Sequence, residues 1–125
     1  MLIVVEDYIS AIKVARSYVA APLLGATMSL QQIKEASDKF SSLGVWLDRD
    51  KAKESALIAL RASQYVPVFI VSSSDDPKKY ADEVISELIE EASYKTLYKD
   101  QLTQDKKMES PEEEEKRRSE YADSH

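Results

Sequence analysis

Four short apolar runs, each trailed by a stretch of helical periodicity, constrain this chain more than any other feature. The first, LIVV at residues 2 to 5, is continuous and rich in β-branched residues, as a strand buried on both faces must be. Glu6 ends it. A helical period starts at Asp7, a sound N-cap, with Ile9, Ile12, Ala15 and Val19 near one face and Lys13 and Arg16 near the other. APLLG reads as a second strand ending at Gly25, and TMSLQQIKEASDKFSSLG as a helix capped near Ser29. In that helix Leu30, Ile33, Ala36 (or Ser37) and Phe40 are expected to face inward. VWLD, residues 45 to 48, is a third strand, and residues 51 to 64 return to helix with a small-residue face of Ala52, Ala56, Ala59 and Leu60. VPVFIVS is a fourth strand, with Pro67 near its start where a missing N–H is tolerated. DPKKYADEVISELIEEASY is a last helix, with Pro77 at its first turn. Its expected buried residues are Tyr80, Val84 and Leu88, with Ile85 as a further candidate.

The order is therefore βαβαβαβα, with strands of about four to six residues. Short connections and right-handed crossovers turn such a chain into an α/β three-layer sandwich around a four-stranded, mainly parallel sheet. A length of 125 residues suits one domain of ordinary size, expected over residues 1–94. Residues 95–125, which include MESPEEEEKRRSEYADSH, have few large apolar residues and blocks of mixed charge. A mobile or partly helical charged tail is expected there.

Composition removes several kinds of chemistry. There is no cysteine, and the one histidine is the terminal His125, so disulfides, thiolate zinc sites and Cys or His nucleophiles are excluded. The same cysteine count fits a cytoplasmic setting. No apolar run approaches the roughly 20 residues of a membrane span, and the N-terminus lacks a secretory pattern. Net charge is −6 and the pI is near 4.9, which argues against a protein that simply coats nucleic acid. An acidic protein still acts on nucleic acid if a metal joins its carboxylates to phosphate.

The acids are not scattered. Ligands of open α/β sheets bind beyond the carboxyl ends of the strands. Glu6 follows strand one, Gly25 strand two, Asp48 and Asp50 strand three, and Asp75 and Asp76 strand four. If the chain is still extended at Asp48, residues 48 and 50 point the same way, about 6–7 Å apart. Two carboxylates so placed can take Mg2+ directly or through water, leaving positions for substrate phosphate. Glu6 would then serve as acid/base group or further ligand, and Gly25 would let backbone approach a substrate. Each element has a plainer reading. Asp48 and Asp50 cap the next helix, Asp76-Pro77 is a good helix start, Gly25 is a turn residue, Trp46 is core, and Lys51 and Lys78 sit on solvated helix faces. Only the joint arrangement favours chemistry.

LIVVEDYISAIKVA, LLGATMS, GVWLDRDKAKESALIAL and VFIVSSSDDPKKY together resemble the Toprim domain of topoisomerases, primases and related nucleases, most closely the primase branch of bacteriophage replication proteins. The resemblance covers roughly residues 2 to 90. It implies a Rossmann-like fold with a four-stranded parallel sheet and Mg2+- or Mn2+-dependent phosphoryl or nucleotidyl transfer in DNA replication. By position, Glu6 matches the family's glutamate, the general acid/base. Asp48 and Asp50 match its metal-binding aspartates, Asp76 the acid of the later Asp-Pro element, and Gly25 the glycine after strand two. Lys51 and Lys78 are candidate substrate contacts. This chain has Asp7 where the family has glycine and Ser10 where many members have aspartate.

Primases of this branch carry a zinc module and a basic subdomain before the Toprim region, whereas this chain starts at strand one. It is therefore expected to work as one subunit, with nucleotides and a single-stranded template, beside a replicative helicase or another primase segment. A nuclease acting on DNA or RNA, and a non-catalytic module that recruits replication partners, are the alternatives.

Overall fold

The computed structural model describes residues 1–23, 25 and 27–98. Strands β1 (Leu2–Val5), β2 (Val19–Pro22), β3 (Leu43–Trp46) and β4 (Val68–Ile70) form one sheet in the order β2-β1-β3-β4, every pairing parallel. Helices α1 (Tyr8–Val14), α2 (Leu30–Lys39) and α3 (Ala52–Ala62) connect them in turn, and α4 (Asp82–Ser93) follows β4. The α/β class and the four-stranded sheet read from the sequence are those of the structure, and the sheet is wholly parallel.

Side chains alternate across a strand, so each central strand feeds two cores. Leu2, Val4, Leu43 and Val45 meet Ile33 and Ala36 of α2 and Ile58 and Ala62 of α3 on one face. Ile3, Val5, Trp46 and Phe69 meet Ala11 and Val14 of α1 and Ile85 and Ile89 of α4 on the other. The division follows from handedness. The chain steps one way along the sheet from β1 to β2, then the other way to β3 and β4. Right-handed crossovers therefore place α1 on one face and α2 and α3 on the opposite one.

Gly44, in the middle of β3, is required by packing. A Cβ there would lie 2.6 Å from Phe69 Cζ and 2.8 Å from Ile3 Cδ1, so the Phe69 ring uses the space a side chain would need.

Several faces differ from the periodicity reading. On α1 the buried residues are Ser10, Ala11 and Val14, while Ile9 and Ile12 are 64% and 54% exposed and Val19 belongs to β2. On α3 the buried residues are Ser55, Ile58 and Ala62, and Leu60 is exposed, so the Ala52/Ala56/Ala59/Leu60 face is turned away from the sheet. Small apolar residues occur all round this helix, and the side on which Ile58 fills the gap above β3 is the one that packs. The second strand lies at Val19–Pro22 rather than residues 21–25, and the third at 43–46 rather than 45–48. Helix α2 keeps its expected cap: Ser29 and Gln32 form a reciprocal capping box, with bonds of 3.1 and 2.9 Å. Leu30, however, is exposed.

The expected last helix is two pieces. Pro77–Lys79 is a 3-10 turn, and α4 begins only at Asp82, burying Ile85 and Ile89 rather than Val84. A π-helical turn, Tyr94–Tyr98, extends α4 and carries Leu97 onto the core. Beyond residue 98 the expected tail lies outside the described residues. No helix among those described is long and apolar enough to cross a membrane.

Candidate functional site

In this strand order the crossovers diverge between β1 and β3, so the carboxyl ends of those two strands flank the crevice where open α/β sheets bind ligands. Glu6 is the first residue after β1, and Asp48 is the second after β3. The backbone N–H of Asp48 donates to Glu6 Oε2 at 3.3 Å. Residues 42 positions apart thus meet at the switch point.

Asp76 reaches the same place from the end of β4. The pKa of Asp48 is raised from 3.8 to about 7, first by hydrogen bonding with Asp76, then by burial, by hydrogen bonding with Glu6 and by the two neighbouring charges. Like charges so close oppose the ionisation of Asp48, which is why the shift is upward. The plainer reading of these aspartates as helix caps fails on geometry. Asp48 precedes a 3-10 turn, Arg49–Lys51, and Asp76 precedes Pro77–Lys79, yet neither carboxylate makes a capping hydrogen bond. Asp7 does cap: its Oδ1 accepts the Ser10 N–H at 2.7 Å. That bond, ahead of burial and the Lys78 ammonium, holds the Asp7 carboxyl below its ordinary value.

Asp76 is positioned by an aromatic anchor. Trp46, fully buried at the end of β3, donates its Nε1–H to Ser73 Oγ at 2.8 Å, and the Ser73 hydroxyl donates to the Asp75 carbonyl at 2.7 Å. Tyr80 stacks on Trp46, with centroids 6.3 Å apart, and its hydroxyl accepts the Asp75 N–H at 3.0 Å. The loop after β4 is therefore pinned from both sides one residue before Asp76. Trp46 was read as core, and it is; its indole N–H also orders the site. Nothing in the local sequence marks the Trp46–Ser73–Tyr80 link, since it joins separate elements.

Two clefts flank the acids. One, of about 420 Å3, is lined by Glu6, Asp7, Tyr8, Leu23, Gly25, Leu47, Lys51 and Glu54, and so unites the candidates Glu6, Gly25 and Lys51. The other, of about 520 Å3, lies on the β4 side, with Asp48, Arg49 and Ser72–Ser74 on its walls. Arg49 and the serine loop were not singled out by the sequence reading. A Cβ on Gly25 would meet no atom within 4 Å, so packing does not demand glycine there.

Lys78 is exposed, as expected, and is also paired with the acidic group. Its Nζ is 3.4 Å from Asp7 Oδ2 and 3.6 Å from Asp76 Oδ2. Asp50 behaves differently from its expectation. The strand has ended at Trp46, the chain turns at Asp48, and Asp50 rides out on the exposed 3-10 turn. The extended geometry that would align residues 48 and 50 is absent.

Among the described residues, no set of three or more Asp, Glu or His side chains is gathered as a ready-made ion cage. The carboxylate contacts instead run pairwise through Asp48. The donors are all oxygen, the type Mg2+ and Mn2+ take. In donor chemistry, though not as a gathered set of three, these residues suit such an ion.

Searches against family models, curated proteins and solved structures found no match.

Proposed function

We propose that this chain is a Toprim-type, primase-like component that transfers nucleotidyl or phosphoryl groups on nucleic acid with Mg2+ or Mn2+. The observation that carries this reading is the pairwise contact of Asp48 with Glu6, which follows β1, and with Asp76, in the loop after β4, at the topological switch point. Structural capping does not account for Asp48 or Asp76.

Asp48 and Asp76 would hold the metal, and Asp50, on its exposed turn, would reach it through water. When bound, the ion supplies charge stabilisation at a phosphoryl oxygen and orients the reacting groups. Glu6 contacts Asp48 and lines the neighbouring cleft, so it would accept or return a proton at a substrate hydroxyl. Lys51, in the same cleft, meets substrate phosphate, and Gly25 offers an open backbone on which a nucleotide rests. The clefts on either side of Asp48 give two reactants separate seats. In this reading the single-stranded template and the nucleotides are the substrates, and a replicative helicase or second primase subunit is the natural partner.

The test is a calorimetric titration of Mn2+ into the wild type and Asp48→Asn, followed by incubation with NTPs and single-stranded DNA. Saturable heat lost in the variant, with short oligonucleotide products, is the expected result. Nicked or degraded nucleic acid would assign the same acids to a nuclease. No heat in the wild type would leave a scaffold that recruits partners.

A further inference from the structure

The Asp7 and Asp76 carboxylates already share a cation of the chain's own. Lys78 is the middle residue of the Pro77–Lys79 turn, and its ammonium stands between Asp7 Oδ2 at 3.4 Å and Asp76 Oδ2 at 3.6 Å. Both oxygens of Asp7 are committed, one to the α1 cap and the other to Lys78. The Ser10 hydroxyl, 1% exposed, lies against the same carboxylate without a partner in hydrogen-bonding geometry. Asp7 is thereby kept ionised, and Lys78 is its counter-charge. Asp76 contacts both the Asp48 carboxyl and the Lys78 ammonium. A dication held at Asp48 would leave the Asp76 carboxylate between that ion and the lysine ammonium.

We propose that the Lys78 ammonium is a built-in replacement for a second metal ion, so that the site takes one dication, on the Asp48 side of Asp76, and not two. The inference rests on the metal-dependent reading above. Two-metal phosphoryl-transfer sites hold their ions about 3.5–4 Å apart and use shared carboxylates to do so. An ammonium offers one positive charge and three donors in that role. It neutralises Asp7 and Asp76 and, being 37% exposed, remains reachable by a substrate phosphate. It does not activate water as a metal does, so any proton transfer at the substrate falls to Glu6. The departure at residue 7 acquires a reason here: the added carboxylate of Asp7 is what holds the lysine in place.

The experiment counts bound Mn2+ on the full-length chain by calorimetry, with electron paramagnetic resonance to detect coupled ion pairs. The proteins are the wild type, K78Q, K78R and the double variant K78Q/D7N, each checked by thermal melting. The wild type and K78R should bind one ion without a coupled-pair signal. K78Q should bind two and give that signal, and K78Q/D7N should return to one. Two ions on the wild type would overturn the proposal. So would a single ion on K78Q, even if bound several-fold more tightly, because that is what loss of an ordinary ion pair produces. A wild type that binds no Mn2+ would remove the metal-dependent reading, and this inference with it. The first two failures leave that reading standing.

Discussion

Replacing Asp48 with Asn should stabilise this protein in the absence of metal, by an amount that depends on pH. The pKa of Asp48 is raised from 3.8 to about 7 in the fold, with Asp76 from the loop after β4 and Glu6 from the end of β1 against it, and Lys78 paired with Asp76. Below about pH 4 the Asp48 carboxyl is protonated in both the folded and the unfolded chain, and the linkage term vanishes. Between about 4 and about 7 the unfolded chain has lost a proton that the fold retains, so stability falls as pH rises. Above about 7 the penalty is complete.

A gap of about three pH units corresponds to a ceiling of roughly 4 kcal/mol, at about 1.36 kcal/mol each. Asp48 is in contact with solvent, and screening reduces the usable figure to roughly 1–2 kcal/mol. For a domain of this size that is a rise in Tm of about 5–15 °C. Asparagine keeps the two backbone contacts at this position, the N–H to Glu6 and the carbonyl that accepts the Lys51 N–H at 2.8 Å. No capping bond is lost. The assay is thermal melting of both proteins in chelator from pH 4 to pH 8. The curves should nearly coincide at pH 4 and diverge steadily to pH 7. Adding Mg2+ should then raise the Tm of the wild type and leave the variant unmoved. Parallel curves across the whole range would refute the claim that Asp48 meets Asp76 and Glu6.

Gly44→Ala forces a Cβ to within 2.6–2.8 Å of Phe69 and Ile3 and should destabilise by about 1–3 kcal/mol, read from denaturant midpoints. Gly25→Ala meets no neighbouring atom and should leave the midpoint unchanged, so any fall in turnover would report backbone contact with substrate. Trp46→Phe removes the donor to Ser73. Hydrogen exchange at residues 72–76 should rise, and Mn2+ affinity should fall several-fold, with one hydrogen bond worth about 1 kcal/mol.

The alternation of apolar runs with helical periods was enough to give the class, the element order and the parallel sheet, because these follow from local pattern and from chain handedness. The inward faces were harder to read. Both α1 and α3 carry apolar residues on more than one side, and the choice between Ile12 and Val14, or between Leu60 and Ile58, depends on how each helix is rotated over the sheet. At the site, Glu6, Asp48 and Asp76 were legible as strand-end acids, whereas the fate of Asp50 was not. Whether residues i and i+2 share a direction depends on where β3 stops, and it stops at Trp46, two residues before the first aspartate.

What this sequence determined by itself is a set of short apolar strands separated by helices, the first and third of them buried on both faces and followed by acid. The helix between each pair of strands makes every connection a crossover, which pairs the strands in parallel and gathers those ends along one edge. Only the tertiary structure decided which acids touch. Strand order put Glu6 beside Asp48, the Trp46–Ser73–Tyr80 anchor brought Asp76 to them, and the 3-10 turn at Pro77 swung Lys78 between Asp76 and Asp7. The contacts of Glu6 with Asp48, Trp46 with Ser73 and Lys78 with Asp7 join segments far apart in the chain, and local periodicity holds no record of such pairings.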